Sequence, residues 1–275
     1  PDTFCINFEY IEKATTPKTK AIVAVHLYGQ CADMEPILAL AKKHNLYVIE
    51  DVAQAIGAEY TFSDGTKHKA GTMGIIGCTS FFPSKNLGCY GDGGAIFTND
   101  DELAEKLKMI ANHGQSKRYY HDMVGCNSRL DALKAAILNY KLPLLDQYID
   151  ARRKAADFYD KALAGNEKIT TPFRADYCTH VFHQYTLVLE NVDNAESFRD
   201  GLVAFLAEND IPSMIYYPVP AHKQKMFAAF GGADYDLEKT DWLTHRVISL
   251  PIHTELDEEQ QIYITKKVLE YVNNN

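Results

Sequence analysis

No apolar run in this 275-residue chain approaches the roughly 20 residues needed to span a membrane, and no charged-then-apolar leader opens it. A cytoplasmic protein without a membrane partner is expected. None of the six cysteines (Cys5, Cys31, Cys78, Cys89, Cys126, Cys178) forms a CxxC pair, which removes zinc knuckles and dithiol redox motifs. Isolated in apolar segments, all six read as small core residues in a reducing compartment. Basic residues are in the minority, 28 Lys and Arg against 37 Asp and Glu for a net charge of −9. They are scattered, so no basic face is available for nucleic acid. There is no repeat, no low-complexity tract, no GxGxxG and no GK[ST]. No two histidines share a helix face at ligand spacing, so no metal site is expected. His26, His113, His222 and His253 read mostly as local hydrogen-bonding residues.

What is present is an ordinary globular composition, 46% hydrophobic and 24% charged. Ala21 to His26 is a continuous apolar run, as in a strand covered on both faces. Asp33 opens a helix with Met34, Ile37, Leu38 and Ala41 on one face. Leu46 to Ile49 is a second buried strand ending in Glu50-Asp51. Ser63-Asp64-Gly65 reads as a hairpin-like turn, and a strand runs through Cys78 to Phe82. The turn Gly88 to Gly94 leads into a strand at Ala95 to Thr98. Asp100 caps a helix whose stripe is Leu103, Leu107 and Ile110, ending at Gly114. Leu130 to Leu163 is helical with a break or kink at Pro143. Beyond Gly165 follow a strand at His183 to Leu189, a helix through Phe198, Leu202, Phe205 and Leu206, a strand at Ile211 to Tyr217, and a closing helix at Glu258 to Val272. The order implies an α/β large domain over residues 1–145 with a mostly parallel sheet flanked by helices. A small α+β carboxyl-terminal domain over 146–275 follows it.

Ligand and catalytic groups collect at the carboxyl ends of strands in open parallel sheets, which singles out Asp51. By itself a carboxylate there is more often the cap of the next helix. A loop lysine such as Lys85 is usually a solvated charge. In order, however, Glu50-Asp51-Val52-Ala53-Gln54-Ala55 and Ser80-Phe81-Phe82-Pro83-Ser84-Lys85-Asn86-Leu87-Gly88 resemble the DegT/DnrJ/EryC1/StrS family of sugar aminotransferases. Further matching strings are Ala24-Val25-His26-Leu27-Tyr28-Gly29, Gly91-Asp92-Gly93-Gly94-Ala95, Gly125 to Asp131, Tyr217-Pro218-Val219-Pro220 and Ser249 to His253. The likeness runs from about Thr16 to the carboxyl terminus. Within the family it is nearest to enzymes that aminate the 3-keto position of UDP-linked N-acetylated uronic acids, although these carry histidine where Tyr216 stands.

The resemblance implies a fold-type-I architecture, pyridoxal 5'-phosphate as cofactor, and transfer of an amino group from L-glutamate to a UDP- or dTDP-linked keto sugar. Such chemistry serves surface polysaccharide and O-antigen biosynthesis. Lys85 is then the Schiff-base lysine and proton carrier, because only a primary amine forms the imine and later recaptures the proton. Asp51 pairs with the pyridine nitrogen and keeps the ring an electron sink. Gln54, read as one helical turn further on, faces the ring hydroxyl side, and Ser80 bonds the phosphate. Asn127 reaches the same phosphate from a second subunit, which implies a homodimer with shared active sites. Ser84, Arg129, Tyr216 and Tyr217 are the implied sugar-nucleotide contacts: arginine bonds phosphate bidentately, and tyrosine offers a flat face with one hydroxyl. The two tyrosines could equally be packing residues at a strand end.

Family members carry an N-terminal glycine-hydroxyl turn that cradles the phosphate. Pro1 enters just ahead of Thr16-Pro17-Lys18-Thr19-Lys20, so the large domain is expected to be N-terminally incomplete. Two alternatives compete with transamination. One is a related sugar dehydratase, which carries histidine in place of the lysine, and Lys85 speaks against it. The other is a non-catalytic binding or regulatory protein on the same fold. Retention of Asp51, Gln54, Ser80 and Lys85 together opposes that reading.

Overall fold

Asn7, whose side chain accepts from the Glu9 amide, caps helix α1 (Phe8–Ala14). The apolar run after Lys20 is strand β1 (Ala21–Val25), and the amphipathic segment after Asp33 is helix α2 (Met34–His44). Strand β2 (Tyr47–Asp51) then returns parallel to β1. The computed structural model describes residues 2–231 and 235–275, which divide into two units. The larger comprises Cys5–Ile149 and Arg174–His183. The smaller comprises Asp150–Phe173 and Gln184–Asn275, with residues up to Phe4.

In the larger unit a hairpin of β3 (Glu59–Thr61) and β4 (Lys67–Lys69) brackets the expected turn at Ser63-Asp64-Gly65. Strands β5 (Ile76–Ser80) and β6 (Gly94–Phe97) complete a sheet of order β1-β2-β5-β6, parallel except for β6. Successive strand residues face opposite sides. Ile22, Ala24 and Val48 are therefore buried against Met34, Ile37 and Ala41 of α2. The next residues of each strand, with Asp51 and Ser80 among them, lie on the other face. Helix α3 (Asp101–Ala111) is capped by Asp100, which accepts from the Leu103 amide at 2.9 Å. Its apolar stripe of Leu103, Leu107 and Ile110 is not buried. A short pairing of β7 (Gln115–Lys117) with β8 (Tyr120–His121) precedes α4 (Ala132–Lys141). The break expected at Pro143 is a 3-10 turn at Leu142–Leu144, after which α5 (Leu145–Leu163) continues.

Among its described residues the smaller unit holds the rest of α5, a three-stranded antiparallel sheet and three further α-helices. Strands β9 (Ile169–Thr170) and β10 (Tyr185–Leu189) pair first, and helices α6 (Ala195–Glu208) and α7 (Glu238–Thr244) follow. Strand β11 (Val247–Leu250) lies on the other side of β10, and α8 (Glu258–Asn274) closes the chain behind an Asp257/Gln260 capping box. Every residue of β10 and β11 is buried, with Leu202, Leu206, Ile264, Val268 and Val272 of the helices in the same core class. The strand expected at Ile211 to Tyr217 is not one. It makes a single reciprocal bridge, Met214 with Ser249, because Pro212 has no N–H to extend a ladder. Among the described residues no helix is long and apolar enough to cross a membrane. All six cysteines are free. Cys31 and Cys89 are buried as expected, whereas Cys126 is exposed in the segment before α4 and is not a core residue.

Gly77 shows how tightly the central strands fit. A Cβ there would sit 2.1 Å from the Gly71 carbonyl oxygen and 2.6 Å from its Cα. The clash is with backbone, so Gly77→Ala is expected to destabilise the fold by about 3 kcal/mol, read as a lowered midpoint in chemical denaturation.

Candidate active site

Parallel strands end together, and β2 and β5 bring Asp51 and Ser80 to the same end of the sheet on one face. Asp51 pairs in register with Cys78, and Ser80 lies two residues further along β5. No α-helix follows Asp51. Residues 52–58 form a run of turns, with the Ala55 amide on the Val52 carbonyl and the Ala58 amide on that of Ala55. The helix-cap reading of Asp51 therefore loses its helix. Its Oδ1 accepts from the Ala53 amide at 3.0 Å, a local turn bond, and its other oxygen takes no hydrogen bond from the described residues. Gln54 is displaced by the same turn, not carried on a helical face. Its Oε1 accepts from the Tyr28 amide at 2.7 Å, which holds Tyr28 at a φ of 58°.

The loop after β5 carries Lys85. It is pinned at its base by Phe81 and Cys89, whose amide-to-carbonyl bond measures 2.8 Å. Lys141 donates to the Gly88 carbonyl at 2.6 Å, and the Asn86 amide donates to the Val181 carbonyl at 2.9 Å. Val181 in turn donates to the Gly29 carbonyl. The returning segment 174–183 thus stitches the lysine loop to the turn that holds Gln54. At Gly29, φ is +111° and a Cβ would approach the Phe182 and His183 nitrogens to 2.8 Å, so only glycine admits this crossing.

Lys85 itself is half-buried and has no hydrogen-bond or ion-pair partner among the described residues. Desolvation lowers its pKa below the ordinary lysine value, and the negative charge of Asp51 opposes that shift only in part. The amine is therefore easier to deprotonate than a surface lysine, as a nucleophile requires. Ser80 accepts from the Phe82 amide at 3.2 Å, and its own O–H donates to no acceptor among the described residues. Ser84, beside the lysine, is exposed.

Two other expected residues of the larger unit, Asn127 and Arg129, line a separate cleft. Asn127, Ser128 and Arg129 are exposed on an extended segment that runs back along the end of α3, with the Ser128 amide on the Ala111 carbonyl. They line a cleft of about 1090 Å³ with Asp92, Gly93, Gly94 and Lys134, and none of Lys85, Asp51, Gln54 or Ser80 lines it. Tyr216 and Tyr217 belong to the smaller unit, with ring centroids 5.5 Å apart; Tyr216 is half-buried and Tyr217 exposed.

The residue that sequence reasoning missed is Glu50. Its carboxylate is fully buried and accepts four hydrogen bonds. Gly71 N and His26 Nε2 donate to Oε2 at 2.7 and 2.9 Å; Met73 N and Gly74 N donate to Oε1 at 2.7 and 2.6 Å. His26 Nδ1 accepts from the Ala32 amide at 3.0 Å, so the ring is neutral with its proton on Nε2. Burial alone would raise the Glu50 pKa, but the His26 bond and the Gly74 and Gly71 amides outweigh it and hold the group below the usual carboxylate range. One signal was legible: two successive carboxylates on a buried strand must face opposite sides, so one of them enters the core.

An unpaired, desolvated amine, a carboxylate with a free oxygen and a hydroxyl with a free proton are the groups that pyridoxal phosphate requires around its aldehyde, ring nitrogen and phosphate. The residues present fit that cofactor. The chain belongs to the DegT/DnrJ/EryC1/StrS aminotransferase family, whose sequence profile matches residues 1–269. It is 48% identical over 273 residues to a pleiotropic regulatory protein of Geobacillus stearothermophilus, a match covering 98% of this chain and 70% of the relative. It is 49% identical over 257 residues to the UDP-N-acetyl-3-dehydro-alpha-D-glucosamine 3-aminotransferase of Acidithiobacillus ferrooxidans, covering 94% of this chain and 66% of the relative. The chain thus spans about two thirds of these proteins' length. Its fold superposes with a TM-score of 0.90 on the crystal structure of Streptomyces venezuelae DesV in complex with a ketimine intermediate, at 38% identity, covering 98% of this chain and 70% of the other. The protein is accordingly a pyridoxal-phosphate-dependent aminotransferase of the fold-type-I class.

Proposed function

We propose that the protein moves the amino group of L-glutamate to a UDP- or dTDP-linked keto sugar, in the cytoplasm, for surface polysaccharide assembly. The observation that carries this reading is the half-buried, unpartnered Lys85 amine beside Asp51. Among the relatives named above, the Acidithiobacillus ferrooxidans enzyme is by name a 3-aminotransferase of a UDP-linked 3-keto sugar, which supports this substrate class. When bound, pyridoxal phosphate supplies an aldehyde and an electron-accepting ring. Lys85 would hold the aldehyde through its amine and, when free, would serve as the base that moves the substrate Cα proton. Asp51 holds a proton on the ring nitrogen with its free oxygen. Ser80 donates its hydroxyl to the phosphate, and Gln54 flanks the ring hydroxyl. Ser84, Arg129, Tyr216 and Tyr217 take the sugar nucleotide.

The test is an absorbance scan of the purified holoprotein followed by mass spectrometry with a panel of nucleotide keto sugars. Glutamate is expected to remove the near-visible band, and one keto sugar to restore it while becoming an amino sugar. A band indifferent to glutamate would leave a protein that keeps the fold without turnover.

Asn127 is proposed to reach the cofactor phosphate of a second subunit. Val124 and Leu133 are 96% and 82% exposed on the same stretch, and Tyr140, seven residues beyond Leu133 and hence on the same face of α4, is 77% exposed. Such an apolar face calls for a cover. The double variant Leu133→Glu with Tyr140→Glu is expected to shift the protein from dimer to monomer in sedimentation velocity. A wild-type mass for that variant would contradict the shared-site arrangement.

A further inference from the structure

We propose that Glu50 is a positioning residue for Asp51: clamped with His26 on the opposite face of the sheet, it fixes the end of β2 so that Asp51 meets the ring nitrogen from one direction. The proposal rests on the reading of Asp51 given above. Among the described residues the Asp51 side chain has one hydrogen bond to orient it, the Ala53 turn bond. Its neighbour has more. Glu50 shares a peptide bond with Asp51 and is held at four points, three of them amides of the loop between β4 and β5. His26 grips both residues, its ring on the Glu50 carboxylate at 2.9 Å and its backbone amide on the Asp51 carbonyl at 3.0 Å. Gly77, in register with Glu50, is the residue against which that loop closes. A twist of the β2 end would break these bonds together.

The chemistry of the clamp exceeds what packing needs. With His26 neutral, a whole negative charge is buried and met only by dipoles and one N–H, where an apolar pair of similar volume would cost less. The titratable groups around Glu50 are His26 and Cys31, and those around Asp51 are Lys85 and Cys78. None of them supplies a compensating cation to Glu50.

The sign of one titration separates the possibilities. A cationic ring nitrogen makes the conjugated Lys85 nitrogen less basic, so losing the ring proton raises the pH at which that nitrogen deprotonates. Removing a nearby negative charge, acting only through space, lowers it. The holoprotein and its Asp51→Asn, Glu50→Gln and His26→Gln variants are titrated by near-visible absorbance, with kcat and KM for glutamate measured alongside. Asp51→Asn is expected to raise the midpoint by about one to two units. Glu50→Gln and His26→Gln are expected to raise it by about half a unit, with kcat lowered and KM little changed. If Glu50→Gln yields no folded protein, His26→Gln, which leaves the three amide bonds in place, carries the test with the same outcomes. A midpoint that stays or falls in the folded variants, while Asp51→Asn raises it, overturns the positioning role alone. A midpoint unmoved by Asp51→Asn overturns the reading of Asp51 and the proposal with it.

Discussion

Lys85→Ala protein is expected to bind the cofactor without the near-visible band of a lysine-bound imine. It should turn over on the order of 10⁴-fold more slowly, or not measurably, since one side chain supplies both the covalent anchor and the proton carrier. Lys85→Arg is the sharper variant. It keeps a cation in a loop that Phe81, Cys89, Asn86 and Lys141 hold in place. Yet a guanidinium is neither nucleophilic nor deprotonable at any working pH. If charge alone mattered, arginine would rescue; it is expected to fail as fully as alanine. Because Lys85 has no partner among the described residues, neither change should disturb folding, and unaltered melting would separate lost chemistry from lost structure. Single-turnover absorbance with glutamate is the measurement.

Asp51→Asn is expected to leave stability within about 1 kcal/mol of the parent, because an asparagine Oδ1 accepts from the Ala53 amide as aspartate does. The proton-transfer half-reaction with glutamate should nevertheless slow on the order of 10²–10³-fold, the loss expected when a preorganised charge is removed from a reacting centre. The contrast between silent stability and a large kinetic defect is diagnostic. Had Asp51 been a helix cap, activity would survive and stability would change little, since asparagine caps about as well, but the chain after Asp51 turns without forming a helix.

Glu50 contributes to stability in a pH-dependent way. Its pKa is depressed in the folded protein, so the stabilisation is present above the ordinary carboxylate range and is lost as pH falls through the lowered value. Glu50→Gln, which sets an amide N–H against the Gly71 N–H or the His26 ring, is expected to cost about 3 kcal/mol at neutral pH. The gap to the parent should narrow in acid, as chemical denaturation at a series of pH values would show.

Strand patterning made most of the sheet legible. Ala21 to Val25 and the segment ending in Asp51 are apolar runs bounded by polar turns, and the change of character at Pro143 is a local backbone rule. Periodicity could not tell which of Glu50 and Asp51 faces the core, since that depends on which face α2 covers. Nor could it separate a strand from an extended segment at Ile211 to Tyr217, where hydrophobicity is right but Pro212 and a single bridge are all the ladder there is. The return of Arg174–His183 to the larger unit is a tertiary event with no local signature. Lys85 was visible only through the resemblance of its string to a family. Its chemistry as a desolvated, unpaired amine comes from the fold around it.

The most direct test of the account is chemical. The protein purified with its cofactor is treated with borohydride, which reduces an imine to a stable amine, then digested and sequenced by mass spectrometry. The account predicts that the peptide spanning Phe81 to Gly88 carries the reduced cofactor on Lys85 and that no other lysine is modified. Label on a different lysine, or none on a protein that holds the cofactor, would contradict it.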